Sequence, residues 1–267
     1  MAKELAIIGC GNMGSAMLKG IIKAGVIAPE DIVATDVNET SVKRLAAELG
    51  CTGTCDNNAA VEGAPMVIIA VKPQYLDDVV RGFAPSLADD VVVVSIAAGV
   101  QIARLEGLVG AQRKVVRVMP NLNATVGEAM SALAPNANVA AAELARVKEV
   151  FESFGKAEVV KEGLMDVVTA VSGSGPAYVC LFVEAMADAA VAEGMPRAQA
   201  YTFAEQTLLG TATYLLETGT HPAVLKDMVS SPAGTTIEAV AALEQGGLRA
   251  TIIDAVRACA QRSRDLA

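Results

Sequence analysis

Glu4-Leu5-Ala6-Ile7-Ile8-Gly9-Cys10-Gly11-Asn12-Met13-Gly14 opens the chain and runs directly into Ser15 to Ala24. A short apolar run, a triple-glycine G-x-G-x-x-G and apolar residues at helical spacing (Met17, Leu18, Ile21, Ile22) read as strand, tight turn and helix. That is the first half of a dinucleotide-binding unit. Gly9 permits the turn, Gly11 lets backbone approach a pyrophosphate, and Gly14 lets the helix pack close against the strand. Gly9, Cys10, Gly11, Asn12, Met13 and Gly14 form the expected cofactor loop, with free N–H groups at the helix start facing the phosphates. The competing reading is a glycine-rich turn that binds nothing. Its position directly after an apolar strand favours the nucleotide site.

With 267 residues the chain has length for one large or two ordinary domains. Apolar residues make up 53% but aromatics only 3%, and Trp is absent, so Ala, Val, Leu, Ile and Met must build the interior. Such an Ala-rich excess points to helices buried on most faces, as in an extensive subunit interface. The net charge of -9, with no basic cluster against it, argues against a nucleic-acid surface. An anionic substrate would have to be held by local N–H groups. The five cysteines are scattered and odd in number, and nothing resembling a signal peptide precedes the first strand, so a reduced cytoplasmic protein is expected. Cys51-x-x-x-Cys55 has no second pair, and His221 is the sole histidine, so no metal is expected. The longest apolar stretches are interrupted by Asp89-Asp90, Glu184 and Asp188, and none is expected to span a membrane.

Asp31-Ile32-Val33-Ala34-Thr35-Asp36 is a second short strand ending in a carboxylate, at the distance from the glycines where ribose recognition is expected. Asp36 then accepts hydrogen bonds from the adenosine 2′-hydroxyl; the alternative is a turn-forming Asp before Asn38. Val42 to Leu49 reads as a helix stopped by Gly50. Pro65 to Val71 is a continuous apolar run, as a parallel strand covered on both faces would be, and Lys72-Pro73 turns the chain at its C-terminal end. Val91 to Ile96 and Lys114 to Val118 repeat the pattern, the latter leading into Met119-Pro120-Asn121. Helical segments at Leu76 to Val80 and Ile102 to Leu108 alternate with them, giving an α/β doubly wound sheet through about residue 160. After Gly163 strand runs cease. Leu164 to Ala192, Pro196 to Glu217, Ala223 to Met228, Ile237 to Leu243 and Leu248 to Leu266 read as helices, so an all-α domain over 163–267 follows a dinucleotide-binding domain over 1–162. Tyr178 to Val191 is apolar apart from Glu184 and Asp188, which places it inside an interface.

Five motifs occur in the order and spacing of pyrroline-5-carboxylate reductase, which the chain resembles nearly end to end: Gly9-x-Gly11-x-Met13-Gly14; Ala70-Val71-Lys72-Pro73-Gln74; Met119-Pro120-Asn121; Ser172-Gly173-Ser174-Gly175-Pro176-Ala177-Tyr178; and Ser231-Pro232-Ala233-Gly234-Thr235-Thr236-Ile237. The last two are the most diagnostic. The resemblance implies reduction of 1-pyrroline-5-carboxylate to L-proline by NADPH or NADH, a Rossmann domain followed by a helical dimerisation domain, and a dimer that a ring of five dimers extends to a decamer. It assigns substrate contact to Ser231 and Thr236, and cofactor contact to Ala70, Val71, Lys72 and Pro73, with Met119, Pro120 and Asn121 at the same site. The chain departs from the family at Leu122-Asn123, where Thr-Pro is common, and at Ala233, where Gly is common and an extra methyl narrows the loop. At Asp36-Val37 the family usually carries a polar residue, often with an Arg suited to a 2′-phosphate; the carboxylate here favours NADH.

Read without the resemblance, Thr235-x-x-Glu238 is a capping box, with Thr235 capping a helix that starts at Thr236. The N–H groups of Gly234, Thr235 and Thr236, with the Ser231 hydroxyl, form a neutral pocket suited to a carboxylate. An ordinary cap between two helices is the plainer reading. Two other functions stay open: a β-hydroxyacid-dehydrogenase-like oxidoreductase and a non-catalytic nucleotide sensor of the same fold. The first uses a lysine from the interdomain helix, and no Lys lies between Leu164 and Leu225. His221, before Pro222, reads as a helix-entry residue.

Overall fold

The structure, a computed structural model, describes residues 3–266. The chain runs β1 (Leu5–Ile8), α1 (Asn12–Ala24), β2 (Ile32–Thr35), α2 (Glu39–Leu49), β3 (Thr52–Thr54), α3 (Asn57–Val61), β4 (Met66–Ile69), α4 (Leu76–Phe83), β5 (Val92–Ser95), α5 (Ile102–Val109) and β6 (Lys114–Met119). It continues through β7 (Ala129–Pro135), α6 (Ala141–Glu152), β8 (Gly155–Val159), α7 (Met165–Val168), α8 (Gly175–Ala192), α9 (Arg197–Thr218), α10 (Pro222–Val229), α11 (Thr235–Gln245) and α12 (Leu248–Leu266). It forms two compact units: one runs to Ser174 and resumes at Cys259, the other is Gly175–Ala258.

In the first unit the strands form one sheet in the order β3-β2-β1-β4-β5-β6-β7-β8. β1 pairs in parallel with β2 on one side and β4 on the other, Ile8 lying opposite Thr35 and Ile69. The sheet therefore grows outward from β1 in one direction and then in the other. That reversal is a topological switch point, where the carboxyl ends of the central strands leave a crevice for a ligand. β7 runs antiparallel to β6, and β8 parallel to β7. Neither is legible in the sequence: β7 is built from Ala, Met and Leu, which favour helix, and β8 is an edge strand with its charged Lys156 and Glu158 exposed.

The continuous apolar strands are covered on both faces. Leu5, Ile7 and Ile68 belong to a cluster on one face with Met17, Leu18 and Ile21 of α1, whereas Ala6, Ile8, Val67 and Ile69 belong to a cluster on the other with Leu76, Val80 and Phe83 of α4. Period-two alternation thus divides one apolar strand between two cores. Both helices bracket the carboxyl ends of β1 and β4.

The expected single helix over 164–192 is interrupted. α7 passes into a π-turn at Thr169–Gly173, and α8 begins at Gly175, because Gly173, Gly175 and Pro176 cannot sustain a regular ladder. The run 162–192 nevertheless meets the length and mean hydropathy of a membrane span, so Glu184 and Asp188 do not disqualify it on composition. In the second unit α8 and α9 pack together, and the Arg197 Nη1 meets the Asp188 Oδ1 at 2.5 Å. Both helices also leave large apolar side chains uncovered: Leu181 is 67% exposed, Phe203 63% and Leu216 64%. His221 caps α10, its Nδ1 accepting the Ala223 N–H, as a helix-entry residue should.

Candidate active site

The glycine loop lies at the switch point. Gly9 extends β1 by donating to the Thr35 carbonyl at 2.8 Å, and Ala70 extends β4 by donating to the Ile8 carbonyl at 2.8 Å. Gly9 adopts φ +104, and a Cβ there would lie 2.7 Å from the Ala70 oxygen; a Cβ at Gly14 would lie 2.0 Å from the Gly9 oxygen. Larger residues would force β1, β4 and α1 apart. At Gly11, by contrast, a Cβ would meet nothing of the protein within 4 Å, so this glycine opens onto free space. Helix α1 begins at Asn12 with no side-chain cap, and the first loop amide with a partner inside it is that of Ser15, which donates to Gly11. The N–H groups of Asn12, Met13 and Gly14 are left for an anion at the positive end of the helix dipole.

Val71 packs beside Gly9, and Lys72, extended at ψ 146 before Pro73, turns the chain into a short 3-10 turn that leads to α4. The Ala70 to Pro73 segment thus borders the glycine loop across the crevice. Met119 and Pro120 close β6 on the same edge of the sheet. A cleft of about 990 Å³ adjoins the loop, lined by Gly11, Asn12, Lys19, Arg44, Thr125 and Gly127 among others. Lys19, Lys23 and Arg44 bring positive charge to this cleft, Lys19 being paired with Glu48 at 2.9 Å. In the 122–128 segment the sequence singles out only Leu122-Asn123, as a departure from the family pattern; the chain forms a 3-10 turn over Leu122–Val126.

Asp36 has work inside the fold. Its Oδ2 accepts the Cys10 N–H at 2.8 Å and its Oδ1 accepts the Asn38 N–H at 3.0 Å, so it makes the turn before α2 and also ties β2 to the glycine loop. A carboxylate has lone pairs beyond these two bonds for a ribose hydroxyl. The Cys10 thiol beside it is pushed up to about 12, by burial first and then by the charges of Asp36 and Cys51. Asn57, absent from the sequence reading because α3 is only five residues long, accepts from the Thr35 hydroxyl at 2.6 Å and brings a side-chain amide to the same strand end. Asn121 is buried, and both ends of its amide are occupied by protein backbone. Among the described residues no group of three or more His, Cys, Asp or Glu gathers as a metal site would require.

The loop before α11 differs from its sequence reading in two respects. The helix starts at Thr235, one residue early, with Gly234 as N-cap and no side-chain cap bond, so the Thr235–Glu238 capping box does not form. From the first helical position the Thr235 hydroxyl no longer has N-cap geometry. The Gly234 N–H donates to the Ser231 carbonyl at 3.1 Å and is not available to a ligand. The free donors are therefore the first-turn amides of Thr235, Thr236 and Ile237, with the Ser231 hydroxyl beside Gly234. Ala233 holds φ +55, alone among the described non-glycine residues in that region. A residue with a Cβ sits where the turn favours glycine, and the strain lies within the loop itself.

Two family models match the chain: pyrroline-5-carboxylate reductase dimerisation over residues 162–266, and NADP oxidoreductase, coenzyme F420-dependent, over residues 4–99. A pyrroline-5-carboxylate reductase from Methanosarcina acetivorans is 47% identical over 264 residues, covering 99% of this chain and 98% of that one. A pyrroline-5-carboxylate reductase structure from Coxiella burnetii superposes with a TM-score of 0.96 at 31% identity, covering 100% of this chain and 99% of that one. A Plasmodium falciparum pyrroline carboxylate reductase structure with NADP bound gives a TM-score of 0.86 at 31% identity, covering 99% and 98%. Motifs, sheet order and full-length similarity agree, and the chain belongs to the pyrroline-5-carboxylate reductase family.

Proposed function

We propose that this chain reduces 1-pyrroline-5-carboxylate to L-proline, with the nicotinamide cofactor held at the β1–β4 switch point and the substrate carboxylate held at the start of α11. As a member of its family the chain is an NAD(P)H-dependent oxidoreductase. The observation that carries the substrate reading is the α11 N-terminus, where the first-turn amides of Thr235, Thr236 and Ile237 lie with the Ser231 hydroxyl, Glu238 being the one acidic residue of that turn. A carboxylate there satisfies donors that the helix cannot.

Hydride passes from the dihydronicotinamide to the imine carbon, the C=N π pair moves onto nitrogen, and the nitrogen ends as the secondary amine of proline. A protonated imine is already electrophilic, so the reaction needs no strongly acidic side chain. Rate comes from holding donor and acceptor at about 3–3.5 Å in the right orientation. We assign carboxylate anchoring to Ser231 and the amides of Thr235 and Thr236, and assign the Thr236 hydroxyl to the ring nitrogen. Thr236 is too weak an acid to be the ultimate proton source, which leaves water or a pre-protonated imine. Gly234 shapes the loop. Cofactor contacts fall to Gly9 through Gly14, Asp36, Ala70 through Pro73, and the Met119-Pro120 turn, with NADH favoured by Asp36.

Functionally the chain divides near residue 162, where the match to the dimerisation family begins. The uncovered apolar faces of α8 and α9 suit a second copy, making a dimer at least, with a decamer as the family's further assembly. The same partner explains the membrane-like hydropathy of 162–192 without a bilayer, and five free cysteines accord with a cytoplasmic enzyme. The test is steady-state kinetics on Thr236→Ala and Thr236→Ser. Loss of the hydroxyl costs about 1.5–3 kcal/mol, or roughly ten- to a hundredfold in kcat/KM, whereas Ser retains most activity. Near-parental rates in Thr236→Ala, with fold and cofactor binding intact, refute the assignment.

A further inference from the structure

In an α-helix the carbonyl of residue i accepts from the N–H of residue i+4. For Ser172 that residue is Pro176, which has no N–H. The chain here is in the π-turn, with the Ser174 N–H donating to the Thr169 carbonyl at 2.8 Å before α8 starts. The Ser172 carbonyl is met instead from outside the helix: the Asn121 Nδ2 donates to it at 3.0 Å. The other end of the same amide, Oδ1, accepts the Met130 N–H of β7 at 3.2 Å. Asn121 is 6% exposed, so water is a poor substitute at either end. Beside it the Met119 Cε lies 2.9 Å from where a Cβ at Gly173 would be, so the π-turn packs directly onto the side chain that ends β6.

We infer that Asn121 is a positioning residue whose amide replaces the N–H that Pro176 lacks, clipping the π-turn at Ser172 to the carboxyl edge of β6 and β7. Two motifs 51 residues apart, Met119-Pro120-Asn121 and Ser172-Gly-Ser-Gly-Pro176, are then one device: the proline creates an orphan carbonyl and the asparagine satisfies it. The clip holds the Met119-Pro120 turn, on the half of the sheet expected to carry the second nucleotide of the cofactor, against the backbone that enters α8. Asn121 acts through the backbone groups of Ser172 and Met130. The functional consequence rests on the reductase reading above; the clip itself does not.

The experiment is a double-mutant cycle between Asn121→Ala and Pro176→Ala, read in kcat and KM for cofactor and imine, and in the thermal unfolding midpoint. Asn121→Ala in the parent lowers kcat/KM about tenfold or more. With Pro176→Ala as the background, residue 176 supplies an N–H, and the same Asn121→Ala change costs less than about threefold. Asn121→Asp keeps the acceptor for Met130 but turns an oxygen toward the Ser172 carbonyl. Its kcat/KM relative to the parent at the same pH therefore rises as pH falls and the introduced carboxyl protonates to donate. If Asn121→Ala fails to fold, the Asn121→Asp pH series and the double variant still decide. Equal losses in the two backgrounds, or a flat Asn121→Asp ratio, overturn the clip. Should the parent fail to reduce the cyclic imine, the functional reading falls, and non-additivity of the unfolding midpoints tests the clip separately.

Discussion

Replacing Asp36 by Asn separates its two roles, because the structure gives each a different signature. Within the protein, the carboxylate accepts the Cys10 N–H at 2.8 Å and the Asn38 N–H at 3.0 Å. An amide offers one oxygen and one NH2 group, so one of these N–H donors would face another donor. Loss of one charge-assisted hydrogen bond at a half-buried site amounts to about 1–2 kcal/mol, the lower part of the range for bonds to charged groups. For a chain of this length that lowers the unfolding midpoint by a few degrees, roughly 2–4 °C per kcal/mol. Because Cys10 belongs to the glycine loop, this term weakens NADH and NADPH together. Contact with the ribose acts on their ratio. A carboxylate close to a 2′-phosphate costs on the order of 1 kcal/mol or more, so Asp36→Asn raises the NADPH-to-NADH ratio of kcat/KM about fivefold or more. Initial rates with both cofactors on 1-pyrroline-5-carboxylate, in parent and variant, supply the two numbers. A parent that clearly prefers NADPH, with a ratio unmoved in Asp36→Asn, refutes the ribose contact and leaves Asp36 as a tether of the loop.

Ala233→Gly relieves the left-handed φ of +55; against the entropy that glycine adds to the unfolded chain the net gain is about 1 kcal/mol or less, and a lowered unfolding midpoint contradicts it. The Cys10 thiol, held near 12, stays protonated at pH 8, so it alkylates with iodoacetamide at least tenfold more slowly than the exposed Cys55 in the native enzyme. With its folded value above its unfolded one, near 8.5, its contribution to stability is complete below about pH 8.5 and is lost as pH rises toward 12; denaturant midpoints that fall less steeply over that window in Cys10→Ala are the check. Light scattering finds a dimer or larger assembly, and an active, stable monomer would rule out the role given to the apolar faces of α8 and α9.

Much of the fold is legible in the sequence because local chemistry alone specifies it. Gly9, Gly11 and Gly14 announce strand, turn and helix within a few residues, and the apolar runs ending at Val71 and Val118 read as strands covered on both faces. The helices after Gly163 are legible from their spacing and from the glycines and prolines between them, with α12 matched at both ends, Leu248 and Leu266. Boundaries fail where a side chain and its neighbour compete for the same position: Thr235 reads as a cap, but Gly234 takes the extended N-cap geometry, moving Thr235 into the helix and dissolving the capping box. β7 is hidden because Ala129 to Pro135 has helix-forming composition, and only pairing with β6 makes it a strand.

The sequence by itself therefore determined the fold class, the glycine loop, the family and the identity of Ser231 and Thr236 as residues to test. Those depend on glycine, proline and apolar spacing, whose conformational preferences act within a few residues. Tertiary structure alone decided that Asp36 bonds the Cys10 amide across 26 positions. It also decided that Asn121 satisfies the carbonyl of Ser172, 51 positions on, rather than reaching outward. Hydrogen-bond donors and acceptors are the same groups wherever they stand in the chain. Which of them meet is settled only when the sheet brings distant strand ends together and burial obliges each one to find a partner.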